Sequence, residues 1–179
     1  MKRVIITGSN GTGKSHVAMH LAKARPDLPV ISYEAIRLTR NWIKKSPAEI
    51  EAALSAVIEK DAWVLEGGPS LLDHALWRCQ GVIWLDPPNL VRAWRLALRP
   101  WKNLGRARPE LPPGNVDWPL QQYGFALRSL RKGRHFHNRI ETALRATPPL
   151  QVWHYKSHRD VEAAITAISH SSPRKAQEK

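Results

Sequence analysis

The sequence predicts an α/β domain, a five-stranded parallel sheet with helices on both faces, and three observations predict it. Short apolar runs alternate with helix-period segments along the whole chain. Those runs are nearly continuous, not alternating, as in strands buried on both faces. The first of them ends in a glycine-rich loop that opens directly into an amphipathic helix.

Each element follows from local residue types. Residues 3–7, Arg-Val-Ile-Ile-Thr, form an apolar β-branched strand ending at Gly8. Residues 14–24 read as a helix with Val17, Ala18, Leu21 and Ala22 on one face, and Pro26 and Pro29 punctuate its exit. Val30-Ile31-Ser32 is a second strand, followed by helical segments near 34–40 and 47–59. The latter opens with Ser46-Pro47-Ala48-Glu49, a serine N-cap with proline at the first helical position. Ala62-Trp63-Val64-Leu65 is the third strand, ended by Glu66-Gly67-Gly68-Pro69. Residues 81–86 are the fourth, ended by Pro87-Pro88, and a helix over 89–98 follows. Residues 99–117 are rich in Pro, Gly and Arg and have no clear period. A long helix over 118–146, a strand over 150–153 and a helix over 158–168 complete the domain, which spans 1–170. The polar tail 171–179 is expected to be disordered.

Composition narrows the setting. A chain of 179 residues suits one domain with a full core. Its single cysteine, Cys79, forms no disulfide framework or cysteine-based zinc site, and no run approaches a signal peptide's apolar core or a membrane span. These features lead us to expect a cytoplasmic protein with no membrane partner, a monomer or homodimer. The histidines do not form a spaced metal motif: His135 and His137 lie two apart, on different sides of a helix. A formal net charge of +13 attracts polyanions, either nucleotides or nucleic acid.

The loop carries the chemistry. Gly8-Ser9-Asn10-Gly11-Thr12-Gly13-Lys14-Ser15 matches G-x-x-x-x-G-K-[ST] in full, in the right strand-to-helix context. Glycines at 8, 11 and 13 let the backbone turn its N–H groups inward around phosphates, and the helix N-terminus adds partial positive charge. Lys14 reaches the β- and γ-phosphates and the Ser15 hydroxyl is placed for Mg²⁺, with His16 next in the cofactor-binding run. The expected fold is therefore the P-loop NTPase fold, with ATP and Mg²⁺ as cofactors. There is no Asn-Lys-x-Asp base-reading motif of GTPases, and the chain lacks the length and Asp-Glu pair of an AAA motor. A small-molecule kinase with a short basic lid over 99–117 fits instead.

Further segments resemble the adenylate-kinase-like nucleoside monophosphate kinases, and most closely their small relatives often labelled "DNA topology modulation protein". The resemblance is carried by Ser32-Tyr33-Glu34-Ala35-Ile36-Arg37 with Trp42, by Trp63 through Ser70, by Ile83 through Pro88 with Arg95 and Arg99, and by the lid Gly105 through Gly114. It covers about residues 1–168. It implies an ATP-dependent phosphotransferase acting on a nucleoside monophosphate or similar small acceptor. It implies that Ser32, Glu34 and Arg37, with Glu66, Gly67 and Gly68, hold that acceptor. Arg95 and Arg99, one helical turn apart, and Arg106, Arg108 and Arg128 or Arg131 would neutralise the transferring phosphoryl group. Glu66 or Asp86 would hold Mg²⁺ through water. Glu66 stands where an aspartate is usual, and no arginine follows the third strand.

Two cation clusters flank the expected phosphate site. The first is Arg92, Arg95, Arg99, Lys102, Arg106 and Arg108; the second is Arg128, Arg131, Lys132, Arg134 and Arg139. A polyphosphate role is expected for both, with nucleic-acid backbone binding as the alternative: a nucleotide-gated regulator with little kinase activity. Within the first cluster Arg92 is expected on a solvated helix face and Trp94 in the core.

Overall fold

The structure, a computed structural model, describes residues 1–102, 111–116, 119–147, 150–157, 161, 165 and 166. Five parallel strands, β1 (Arg3–Gly8), β2 (Val30–Ser32), β3 (Trp63–Gly67), β4 (Gly81–Leu85) and β5 (Gln151–Tyr155), lie in the order β2-β3-β1-β4-β5. The central strands β1, β3 and β4 are buried along nearly their whole length, which is why they read as unbroken apolar runs.

Strand alternation divides the core into two layers. Val4, Ile6, Val64, Ile83 and Leu85 meet Val17, Ala18 and Leu21 of helix α1 (Lys14–Ala24). Ile5, Trp63, Leu65, Val82 and Trp84 pack on the other face. There they meet Tyr33 and Ile36 of α2 (Tyr33–Arg37), Leu54 and Ile58 of α3 (Pro47–Ile58), Leu72 and Ala75 of α4 (Leu72–Ala75), and Ile140 of α7 (Gly133–Arg145). Helices α5 (Asn89–Lys102) and α6 (Pro119–Arg131) pack against each other.

The α3 start expected at Ser46 is present as a full capping box: Ser46 Oγ accepts from the Glu49 N–H, and the Glu49 carboxylate accepts from the Ser46 N–H. Other boundaries differ from the sequence reading. The helix expected over 118–146 is two helices, α6 and α7, with the break at Lys132 (φ −84°, ψ 4°). Helix α5 runs on to Lys102 with Pro100 inside it. Of the lid expected over 99–117, residues 103–110 and 117 lie outside the described residues, as do most of the helix over 158–168 and the tail 171–179.

The end of the expected lid segment is tied to the segment after α2. Asn115, fully buried, accepts from the Trp42 N–H through Oδ1 (2.6 Å) and donates through Nδ2 to the Thr39 and Pro112 carbonyls (2.8 and 2.7 Å). The Trp42 indole donates to Val116 O (2.9 Å). Asn41 and Trp42 both sit at positive φ (54° and 60°), a strained pair of non-glycine residues that these bonds hold in place. Among the described residues no helix is long and apolar enough to cross a membrane.

Leu21, fully buried, fixes α1 and hence the glycine-rich loop to the sheet. Replacing it with alanine should cost about 2–5 kcal/mol, measured as a lower urea midpoint with an unchanged slope.

Candidate active site

The loop between β1 and α1 is an open backbone nest. Gly13, at the α1 N-cap, has φ 99° and ψ 18°, left-handed geometry that turns the helix N–H groups toward the loop interior. Gly11 has φ 80°, and a Cβ there would stand 2.8 Å from Leu96 Cγ of α5, so only glycine lets the loop approach that helix. Thr12 Oγ1 donates to Ser9 O (2.9 Å), closing the turn from within.

Lys14 reaches back under this turn. Its Nζ donates to Ser9 O (3.1 Å) and lies 4.0 Å from Glu66 Oε1, with the Lys14 and Glu66 side chains only 10% and 9% exposed. Parallel register explains the meeting. Glu66 pairs with Ile6 on one side and Ser32 on the other, so its side chain leaves the sheet on the face that α1 covers. Burial draws the Lys14 pKa below the ordinary lysine value, and the Glu66 and Glu34 carboxylates work against that shift.

Two arginines of α5 grip the loop from outside. Arg95 Nη1 donates to Thr12 O (2.9 Å) and Arg92 Nε donates to Asn10 O (3.1 Å). The expectation of a solvated face for Arg92 is corrected: the residue is 2% exposed, with Nη1 on Asn89 Oδ1 (2.7 Å) and Nη2 on the Ser129 carbonyl and hydroxyl. Trp94, expected in the core, is 66% exposed on the opposite side of the same helix. The sequence reading placed Trp94 inside and Arg92 outside. The signal that would have reversed it is the loop itself, which needs donors for its outward carbonyls.

On the other flank of Glu66 lie the expected acceptor residues. Ser32 ends β2, and Arg37 Nη1 donates to Glu34 Oε1 (3.1 Å) while its guanidinium sits 5.3 Å over the Tyr33 ring. Gly67 packs so closely that a Cβ would be 2.9 Å from Tyr33 Cβ, whereas a Cβ at Gly68 would meet nothing within 4 Å. The chain is thus narrow beneath Gly67 and open at Gly68. A cleft on the far side of the loop is lined by Thr12, Pro87, Arg95, Tyr155, Lys156 and Ser157, none of the last three foreseen from the sequence.

The remaining predicted residues are placed differently. Asp86 follows β4 on the face of Trp84, and its Oδ2 is 2.8 Å from His137 Nδ1 and 3.4 Å from His154 Nε2; the His154 ring stacks on Trp84 at 3.9 Å. His16 is exposed and its ring lies 4.2 Å from that of His20. Arg99 is half-buried on α5 and Arg128 is exposed on α6, while Arg106 and Arg108 lie outside the described residues. Arg139 pairs with Asp73.

Similarity to known proteins bears on the fold. No protein-family profile and no curated sequence matches the chain. Solved structures do. A shikimate kinase from Acinetobacter baumannii, in complex with shikimate, aligns over 94% of this chain and 90% of its own at 20% identity and TM-score 0.54. The shikimate kinase of Bacteroides thetaiotaomicron aligns over 93% and 96% at 18% identity and TM-score 0.52. A sugar kinase from Janibacter aligns over 96% of both chains at 15% identity and TM-score 0.51. The chain has the α/β P-loop NTPase fold. At these identities the P-loop kinase structures speak to that fold and leave the acceptor open, and the more specific topology-modulation resemblance has no support among them.

Because Glu66 helps to keep Lys14 protonated, Glu66→Gln should move its deprotonation to lower pH. The alkaline limb of ATP binding, measured by calorimetry in EDTA so that metal affinity plays no part, is expected at lower pH in the variant than in the wild type.

Proposed function

We propose that the protein is an ATP-dependent phosphotransferase that moves the γ-phosphate of Mg-ATP to a small acceptor, a nucleoside monophosphate or a similar anionic compound. The observation that carries this reading is the buried Lys14–Glu66 pair set inside a complete phosphate loop, with an open acceptor side at Gly68. The residues present fit the cofactor: the positive-φ glycines let the loop bend tightly around Lys14, and its N–H groups and Lys14 match polyphosphate oxygens.

In this reading the loop, Gly8 through Ser15, holds the β- and γ-phosphates, and Lys14 leaves Ser9 O to donate to them. Ser15 and Glu66 would hold Mg²⁺, Glu66 through water. Asp86 is the less favoured alternative, because its Oδ2 already meets two histidines. The metal, when bound, neutralises charge on the transferring group. Arg95 and Arg99 supply positive charge from α5, with Arg106, Arg108 and Arg128 from the lid side. Ser32, Glu34, Arg37, Glu66, Gly67 and Gly68 form the acceptor side, where Arg37 pairs with an anionic group. Such a reaction can run on positioning and electrostatics, without a strong general base. A cytoplasmic location fits it.

A hydroxyl metabolite is a second reading, favoured by the likeness of the fold to shikimate kinases and a sugar kinase.

The test is ADP release from Mg-ATP against a panel of nucleoside monophosphates, nucleosides, sugars and sugar acids. One acceptor should stimulate release, and Lys14→Ala should lower that rate by about 10²-fold or more. Tight ATP binding with no acceptor-dependent ADP from any compound would refute the phosphotransferase. Arg37→Ala should raise the acceptor KM about tenfold with kcat little changed, the pattern of a lost binding contact.

A further inference from the structure

Arg92 is the most buried cation among the described residues, and it touches no phosphate-facing atom. Its fork spans four parts of the chain. Nε donates to the Asn10 carbonyl of the loop, Nη1 to the Asn89 side chain at the start of α5, and Nη2 to the carbonyl and hydroxyl of Ser129 in the last turn of α6. The fourth part is the α7 N-terminus. A Cβ built on Gly133 would lie 2.7 Å from Arg92 Nη1 and 3.1 Å from Asn89 Oδ1. Gly133 is itself buried and helical, so its backbone does not require glycine; the space does.

We propose that Arg92 is a positioning residue that sets the shape of the phosphate loop by fixing the Asn10 carbonyl, and that residue 133 is glycine to leave room for its guanidinium. A phosphate loop works when its N–H groups converge inward, which forces carbonyls outward into protein. Each outward carbonyl needs a donor, since an unmet buried one is costly. Asn10 O obtains its donor from Arg92 and Thr12 O from Arg95. A lysine cannot replace Arg92 in this, because one ammonium does not reach Asn10, Asn89 and Ser129 together as a planar fork does. The same fork ties the loop to the α6–α7 corner, where Ser129 accepts from it and Gly133 leaves it room. The inference rests on the loop's binding nucleotide and is independent of the acceptor.

The test uses the purified full chain and ATP affinity by calorimetry, with thermal unfolding recorded alongside. Gly133→Ala is the decisive variant, since the atom it meets is the far end of a flexible side chain, which can swing aside. Alanine favours a helix over glycine, which offsets part of what the displaced fork gives up, so Tm should fall only modestly. The ATP Kd should nonetheless rise about tenfold, and Arg92→Lys should do the same. In the double variant the losses should not add, because both act through one fork. A merely structural arginine would lower Tm and leave the affinity alone. Wild-type affinity in Gly133→Ala, or losses that add in the double variant, would overturn the proposal; if Arg92→Lys does not fold, Gly133→Ala alone decides. Wild-type protein that binds no ATP would overturn the nucleotide-binding reading itself, and no variant is needed to see it.

Discussion

The contact on which the rest of the site depends is the grip of α5 on the carbonyls of the glycine-rich loop. A loop that points its N–H groups inward is left with carbonyls facing the protein, where they need donors. Arg92 and Arg95, three residues apart on one helix face, meet the carbonyls of Asn10 and Thr12, two apart in the loop. Leu96 fills the remaining space against Gly11. With its outer face satisfied in this way, the loop keeps its left-handed glycines in a shape that does not depend on a ligand. Preorganisation of that kind is what electrostatic binding of phosphate requires.

The sheet supplies the other half of the geometry. Because β1, β3 and β2 are parallel and in register, Ile6, Glu66 and Ser32 form one row on the α1 face at the strands' carboxyl ends. The row sets an acid beside Lys14 and brings the end of β2 next to it. Asp86 follows β4 three residues beyond Ile83, the β4 residue level with Ile6 and Glu66, and strand alternation turns it to the face of Trp84 and α7. That odd offset sets one acid on the face of the loop lysine and the other on the face of two histidines.

Much of this was legible in the sequence because buried parallel strands and a glycine loop leave strong local signals. Each of the five strands was found within a few residues, and Ser46 marked the α3 start through a cap that is local by nature. What the sequence obscured depends on contacts across the fold. The α6–α7 break has only a glycine beside it as a local signal, and that Gly133 meets a guanidinium 41 positions earlier in the chain. Asn115 looked like one more polar residue in an irregular stretch, yet it is fully buried and joins two distant segments. Neither pairing is written in local composition.

Helix α5 was misread for an instructive reason. It carries two regular stripes, Leu90, Trp94, Ala97 and Trp101 on one side and Arg92, Arg95 and Arg99 on the other, and burial statistics assign the first to the core. In the structure Arg92 is 2% exposed, while Leu90, Trp94 and Trp101 are 84%, 66% and 64% exposed. Burial lowers the Arg92 pKa, with the Asp86 charge opposing it, so the cation enters at a real desolvation cost. Beside Asp86, the Asn10 carbonyl, the Ser129 carbonyl and hydroxyl and the Asn89 side chain offset that cost, and a leucine at position 92 would satisfy none of them. A helix has two faces, and once the arginines must turn inward the tryptophans turn outward. The ordinary rule for amphipathic helices is overridden here by the hydrogen-bonding demand of one loop.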